Sequence, residues 1–257
     1  MNSKVLRFAN VAAIISTIIV NALANILPFN GLDTGSISDG FPVRFVPAGY
    51  VFSIWGLIYL GLSAFAIYQA LPKQANNPAV AKIGWWFVAS CAFNCSWLFA
   101  WHYLQFPLTI VLIVGLLVSL ITIYRRLSSL RANASTADRW LIHTPFSIYL
   151  GWATVATIAN ATIALYDAGW RGGPLSDSVW TVILLAIGVC LAAFITLRQR
   201  DVAYDAVLLW AFIGIAVKQA DFPVVMGAAI VAAMAIAVLI VLAVIRKLPT
   251  QGRKALA

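Results

Sequence analysis

The run from Trp140 to Tyr166, WLIHTPFSIYLGWATVATIANATIALY, decides how this chain folds. It is an apolar helix longer than the roughly 20 residues needed to cross a bilayer. At about 100° per residue, Tyr149, Trp152, Ala156 and Asn160 share one narrow arc, so an aromatic plate, a small gap and an amide lie on one face. An amide deep in an apolar helix is costly unless something hydrogen-bonds it, and inside a bilayer the partner must be protein, trapped water or ligand. The arc therefore reads in two ways. It is the wall of a pocket, or Asn160 ties two helices together while Trp152 fills space.

Working outward, the chain repeats this apolar character along its length. Of its 257 residues 63% are hydrophobic and 10% charged, which a soluble domain does not show and a polytopic membrane protein does. Eight spans are expected: Val5 to Leu27, Ala48 to Leu71, Ile83 to Tyr103, Leu108 to Tyr124, Trp140 to Tyr166, Val179 to Leu197, Ala203 to Ala220, and Pro223 to Ile245. Only Leu104 to Pro107 part the third span from the fourth, and Asp221 and Phe222 the last two, so both pairs form tight hairpins. No polar segment is long enough for a separate soluble core, which leaves one all-α membrane domain.

Lys and Arg test the count. With eight spans the side holding both termini carries Lys4, Arg7, Lys73, Lys82, Arg125, Arg126, Arg131, Arg139, Arg198, Arg200, Arg246, Lys247, Arg253 and Lys254, and the other side only Arg44, Arg171 and Lys218. The positive-inside rule then makes both termini cytoplasmic. The net charge of +9 is accounted for by span ends, so no nucleic-acid partner is expected. Lys4 and Arg7, an apolar run and Ala22-Leu23-Ala24 also resemble a cleavable signal peptide, and its removal would leave every later loop on the same side.

All eight acids are Asp and none lies at the centre of a span, which argues against a proton- or sodium-coupled carrier. Cys91 and Cys95 share a helix face, and small apolar packing is expected of them rather than a metal or redox site. His102 and His143 fall on opposite membrane faces and cannot together clamp a haem, and a lone interfacial His is expected to be solvated. Trp85, Trp86, Trp140, Trp101, Trp170 and Trp180 sit near span ends as an interfacial belt. Lys218 and Asp221 are placed to pair, or Lys218 to snorkel. Gly227, Ala228, Ala232, Ala233 and Ala237 give the last span a small-residue surface for close packing, internally or in a dimer.

Four tryptophans remain away from the ends: Trp55, Trp97, Trp152 and Trp210. The second span aligns Phe52, Trp55, Tyr59 and Ala66, and the third aligns Asn94, Trp97 and Trp101. With Trp152 and Asn160 on the fifth, three helices present large aromatics and two add an amide, as expected for a flat apolar ligand with a few polar edges. Aromatics at helical spacing also serve as plain packing. The loop Pro28 to Pro47, rich in Gly and Pro and carrying Phe41 and Phe45, suits either a lid over an outward-facing pocket or a solvated connector.

The patterns P-x3-VFxxW-x3-Y at Pro47 to Tyr59, AFNxxW at Ala92 to Trp97 and WATxATxxN at Trp152 to Asn160 together resemble the translocator protein family, also called the tryptophan-rich sensory protein or peripheral benzodiazepine receptor family. The resemblance implies a five-helix membrane core over residues 1–170, with three additional spans over 171–257 in the same membrane domain. It implies an intramembrane pocket for porphyrins such as protoporphyrin and haem, or for sterols and synthetic ligands, with no cofactor required, and often a homodimer in a bacterial cell membrane. It assigns ligand contact to Trp55, Tyr59, Asn94, Trp97, Trp152, Ala156 and Asn160. The family's Trp-rich first loop with a Lys-Pro step is replaced here by Phe41, Pro42, Arg44 and Phe45.

The expected function is thus that of an integral membrane binding or sensory protein for a porphyrin-like or other flat hydrophobic molecule, whose occupancy is sensed or leads to translocation. A secondary transporter of another class would need an internal repeat or a buried acid, and neither is evident. Breakdown of bound porphyrin is allowed by the resemblance, but no nucleophile and base stand at recognisable spacing and no metal motif is present, so binding is expected rather than catalysis.

Overall fold

The structure, a computed structural model, describes residues 3–27 and 29–247. Pro28 of the first loop and Arg253 and Lys254 of the charge count lie outside the described residues. Eight long helices run through the described chain: α1 Ser3–Ile26, α2 Ile54–Ala70, α3 Trp86–His102, α4 Phe106–Ser128, α5 Thr144–Asp167, α6 Asp177–Gln199, α7 Val202–Lys218 and α8 Pro223–Lys247. Their bounds fall within a few residues of the expected spans.

Six are long and apolar enough to cross a membrane, counting the turns that lead into α2 and α5. The other two, α3 and α7, have 17 residues each, about 26 Å at 1.5 Å per residue. They span less than the full apolar thickness, and both are held inside the bundle: α3 packs between α1 and α4, and α7 between α5 and α8. The protein is a multi-pass membrane helix bundle.

Helix neighbours show how it is assembled. α1 touches α2 and α3, α3 touches α4, α4 touches α5, and α5 returns to α2, which closes a ring of five. α6, α7 and α8 pack on one another and join the ring chiefly through α7 against α5. Small residues set that junction. A Cβ at Gly151 of α5 would stand 3.0 Å from the Tyr204 carbonyl, and one at Gly214 of α7 would collide with Val51. On α8, Ala229, Ala232 and Ala233 are buried within the chain, so its small-residue surface is used internally.

Contacts at the helix ends fix the alternation of direction. At one end the Arg7 guanidinium donates to the Gln69 carbonyl at 2.6 Å, Lys82 donates to Ser129 at 2.6 Å, and Tyr124 and Ser147 donate to Asp201 at 2.9 and 2.6 Å. At the other end Asn30 donates to the His102 carbonyl and Lys218 pairs with Asp39. The second partner corrects the expectation for Lys218: the carboxylate it meets belongs to the first loop, not to Asp221.

Candidate functional site

Phe52, Trp55 and Tyr59 repeat at intervals of three and four, so α2 and the turn leading into it present them as one stripe. They line a cavity of about 490 Å³ together with Trp97 and Leu98 of α3 and Asn21 and Asn25 of α1. The remaining wall comes from the short helix Thr34–Asp39 of the first loop, through Asp33, Thr34, Gly35, Ser36 and Asp39. The volume is within the range of small-molecule sites, about 300–1,000 Å³. The space opens among α1, α2 and α3 beneath that loop, whereas the sequence placed it among the second, third and fifth spans.

α5 stands one layer back. Trp55 stacks on Tyr59 with ring centres 5.5 Å apart, and Trp152 meets Trp55 edge-on at 6.1 Å and Phe52 at 5.7 Å. Trp152 is 1% exposed, so its ring supports the Trp55 plate from behind. Trp97 stacks on Trp101 at 5.4 Å, and Trp101 is buried and donates to the Thr34 carbonyl at 3.3 Å. Trp101 therefore backs Trp97 and holds the loop, and being buried it does not belong to the interfacial belt expected of it.

The two amides part company. Asn94 accepts through Oδ1 from Asn21 at 3.0 Å, while its Nδ2 has no protein partner, a condition shared by the Tyr59 hydroxyl and Trp152 Nε1. Each such buried group costs about 1–3 kcal/mol until something pairs with it. Asn160, in contrast, is fully engaged: it accepts from Trp97 Nε1 at 2.7 Å and donates to Thr109 Oγ1 at 2.7 Å. It ties α3, α4 and α5 together. Ala156 packs between the two apolar clusters of the core. Of the seven residues singled out, Trp55, Tyr59 and Trp97 line the cavity, Asn94 and Trp152 back it, and Ala156 and Asn160 belong to the helix packing around it.

The first loop is a lid. Asp33 caps the short helix, accepting from the Gly35 and Ser36 amides at 2.9 Å each, and the Ser36 amide in particular holds its carboxyl below the ordinary carboxylate range. His102 anchors the lid to α3. Its Nδ1 lies 3.3 Å from the Phe29 carbonyl and its Nε2 3.1 Å from the Thr34 hydroxyl. A carbonyl only accepts, so Nδ1 carries the proton and, in the neutral ring, Nε2 accepts from Thr34. His102 is fully buried, not solvated as its interfacial position suggested.

From the opposite side α7 and α8 hold the same loop. Lys218 pairs with Asp39, Arg44 lies 3.4 Å over the Phe222 ring, and the Ala48 amide donates to the Gly214 carbonyl at 3.1 Å. Trp210 Nε1 donates to the Val51 carbonyl at 3.2 Å. The lid is thus clamped between α3 and the last two helices. Of the two carboxylates that line the cavity, Asp39 is compensated by Lys218, so Asp33 carries the negative charge left there.

Sequence reading missed α1 as a wall of the cavity, and it left the first loop open between lid and solvated connector. A signal for α1 was present: Thr17, Asn21 and Asn25 recur every four residues on one face of an otherwise apolar span. For the lid it was Asp33 three residues before Ser36, a capping-box spacing.

No curated protein and no solved structure matches the chain. One family profile does, that of the TSPO-like protein, over residues 7–243. The match runs through α6 and α7 and most of α8. With nearly the whole chain covered by that match, the protein belongs to the TSPO-like protein family.

Proposed function

We propose that the protein is a membrane binding or sensory protein that takes one flat hydrophobic guest, porphyrin-like in shape, against the plates of Trp55 and Trp97. The supporting observation is the cavity itself: aromatic faces on one side and, on Tyr59 of the same lining, a buried hydroxyl without a protein partner. A guest with a polar edge satisfies that hydroxyl while its ring replaces water on the aromatic faces. Burying about 200 Å² of apolar surface contributes roughly 5 kcal/mol.

The charge of the mouth selects among flat guests. Asp33, whose charge no Lys or Arg among the described residues offsets as Lys218 offsets Asp39, repels a carboxylate placed there and favours a neutral or cationic edge. A porphyrin with its acid side chains esterified is therefore the better guest, and the free diacid the poorer one.

Titration of purified protein with protoporphyrin dimethyl ester and with the free acid, read by tryptophan fluorescence, tests both statements. Saturable quenching that weakens in Trp55→Ala supports the pocket, and tenfold tighter binding of the ester supports the acidic mouth. Quenching that never saturates, or that Trp55→Ala leaves unchanged, overturns the pocket. Equal affinity for ester and acid overturns the charge argument alone.

A further inference from the structure

A second hollow lies at the arginine-rich end of the bundle, away from the aromatic cavity. It is a groove of about 710 Å³ between α4 and α6, floored by Leu150 and Thr154 of α5 and by Tyr204 of α7. Along α4 its wall runs from Leu117 through Ile121 to Arg125, and along α6 from Leu191 through Phe194 to Arg198. The two walls cover nine and eight residues in sequence, about 12 and 11 Å of helix. Both go from apolar to cationic in the same direction, because α4 and α6 cross the bundle with the same sense. The groove is therefore an apolar trough with a positive mouth.

The mouth is not neutralised. Arg125 and Arg198 are both exposed, and neither is in a salt bridge among the described residues. The groove continues past Arg198 and Gln199 into a wider basin of about 1110 Å³ that Arg131 and Arg139 also line. One acid, Asp201, lies on that basin, and its carboxylate is taken by Arg131 at 2.6 Å. Positive charge is left over where the trough reaches the membrane surface. Guanidinium groups match phosphate oxygens in shape and charge, and basic hollows between transmembrane helices on a cytoplasmic face suit anionic head groups.

We propose that this groove is a binding site for one anionic phospholipid, with its phosphate at Arg125 and Arg198 and one acyl chain along Ile121, Leu191 and Phe194. Phe194 and Leu191 are 57% and 36% exposed and form one wall, so the site exists only because α6 stands across the groove from α4. It is independent of the aromatic cavity. A lipid seated there bridges the five-helix ring to the last three helices and joins them on the face where α7 alone makes most of the contact.

Native mass spectrometry of the full chain with added phosphatidylglycerol and phosphatidylcholine of the same acyl chains tests this. Expected is a retained phosphatidylglycerol adduct of one-to-one stoichiometry, at least tenfold preferred over phosphatidylcholine, with the preference lost in the double variant Arg125→Gln/Arg198→Gln. Lys73→Gln, an exposed charge at the same end and outside the groove, should keep the preference, and circular dichroism should show every variant folded. A six-carbon-chain phosphatidylglycerol or inorganic phosphate should not displace the long-chain lipid. Equal retention of the two lipids, a preference that survives the double variant or disappears in Lys73→Gln, or displacement by the short-chain lipid or by phosphate, overturns the proposal.

Discussion

Lys218, in the last turn of α7, forms an ion pair with Asp39 at the end of the short lid helix. The two residues are 179 positions apart in sequence, and their pairing ties α7 to the lid of a cavity that lies within the first three helices. Arg44 over Phe222 and the Ala48 amide on the Gly214 carbonyl are parallel ties.

Cutting that ion pair should loosen the lid without loosening the fold. Exposed pairs contribute about 0–1 kcal/mol, so Lys218→Ala should leave the thermal midpoint in detergent within about 2 °C while ligand release, followed by stopped-flow fluorescence, quickens several-fold. An unchanged release rate would mean that the remaining ties, at His102, Trp101, Arg44 and Ala48, hold the lid without the ion pair.

Trp55 and Trp152 should separate binding from stability. Trp55 faces the cavity, and its replacement by Ala should cost about 2 kcal/mol of binding, roughly thirtyfold in affinity. Trp152 is buried behind it, so Trp152→Ala should destabilise the fold by about 3–5 kcal/mol. The check is a pair of measurements on each variant, ligand affinity and denaturation midpoint. Trp152→Ala losing affinity with an intact midpoint would move Trp152 into the cavity.

Asn160 should behave as a structural tie. Asn160→Ala strands Trp97 Nε1 and should cost about 1–2 kcal/mol of stability, with ligand affinity changed less than threefold. Affinity loss equal to that of Trp55→Ala, with stability intact, would instead show the amide touching the guest.

Asp33 gives the lid a pH dependence with a definite sign. Its folded carboxyl titrates below the usual value of 3.8, chiefly because the Ser36 amide bonds it. The cap is therefore fully present above the unfolded value and is lost as pH falls through the lower folded one. Hydrogen exchange at Gly35 and Ser36, corrected for its intrinsic pH dependence, should show protection lost below about pH 3.8. Asp33→Asn, whose amide oxygen caps without titrating, should remove that step, and its persistence would assign the step to another group.

Hydropathy and the placement of Lys and Arg determined the number and order of the helices, because both are properties of short stretches meeting lipid or water. Aromatics and amides at helical spacing identified Trp55, Tyr59 and Trp97 for the same reason: the 3.6-residue period puts them on one face whatever lies opposite. What lies opposite was decided by tertiary structure. Asn94 and Asn160 look alike in sequence, each an amide on the stripe of a tryptophan. Packing supplies Asn160 with Trp97 and Thr109 and leaves half of the Asn94 amide without a protein partner. Likewise Asp39 meets Lys218, and His102 meets Phe29 and Thr34, only once the first loop is folded over α3 and α7 is docked on α5. Such pairings depend on distances between segments far apart in the chain, which no local pattern encodes.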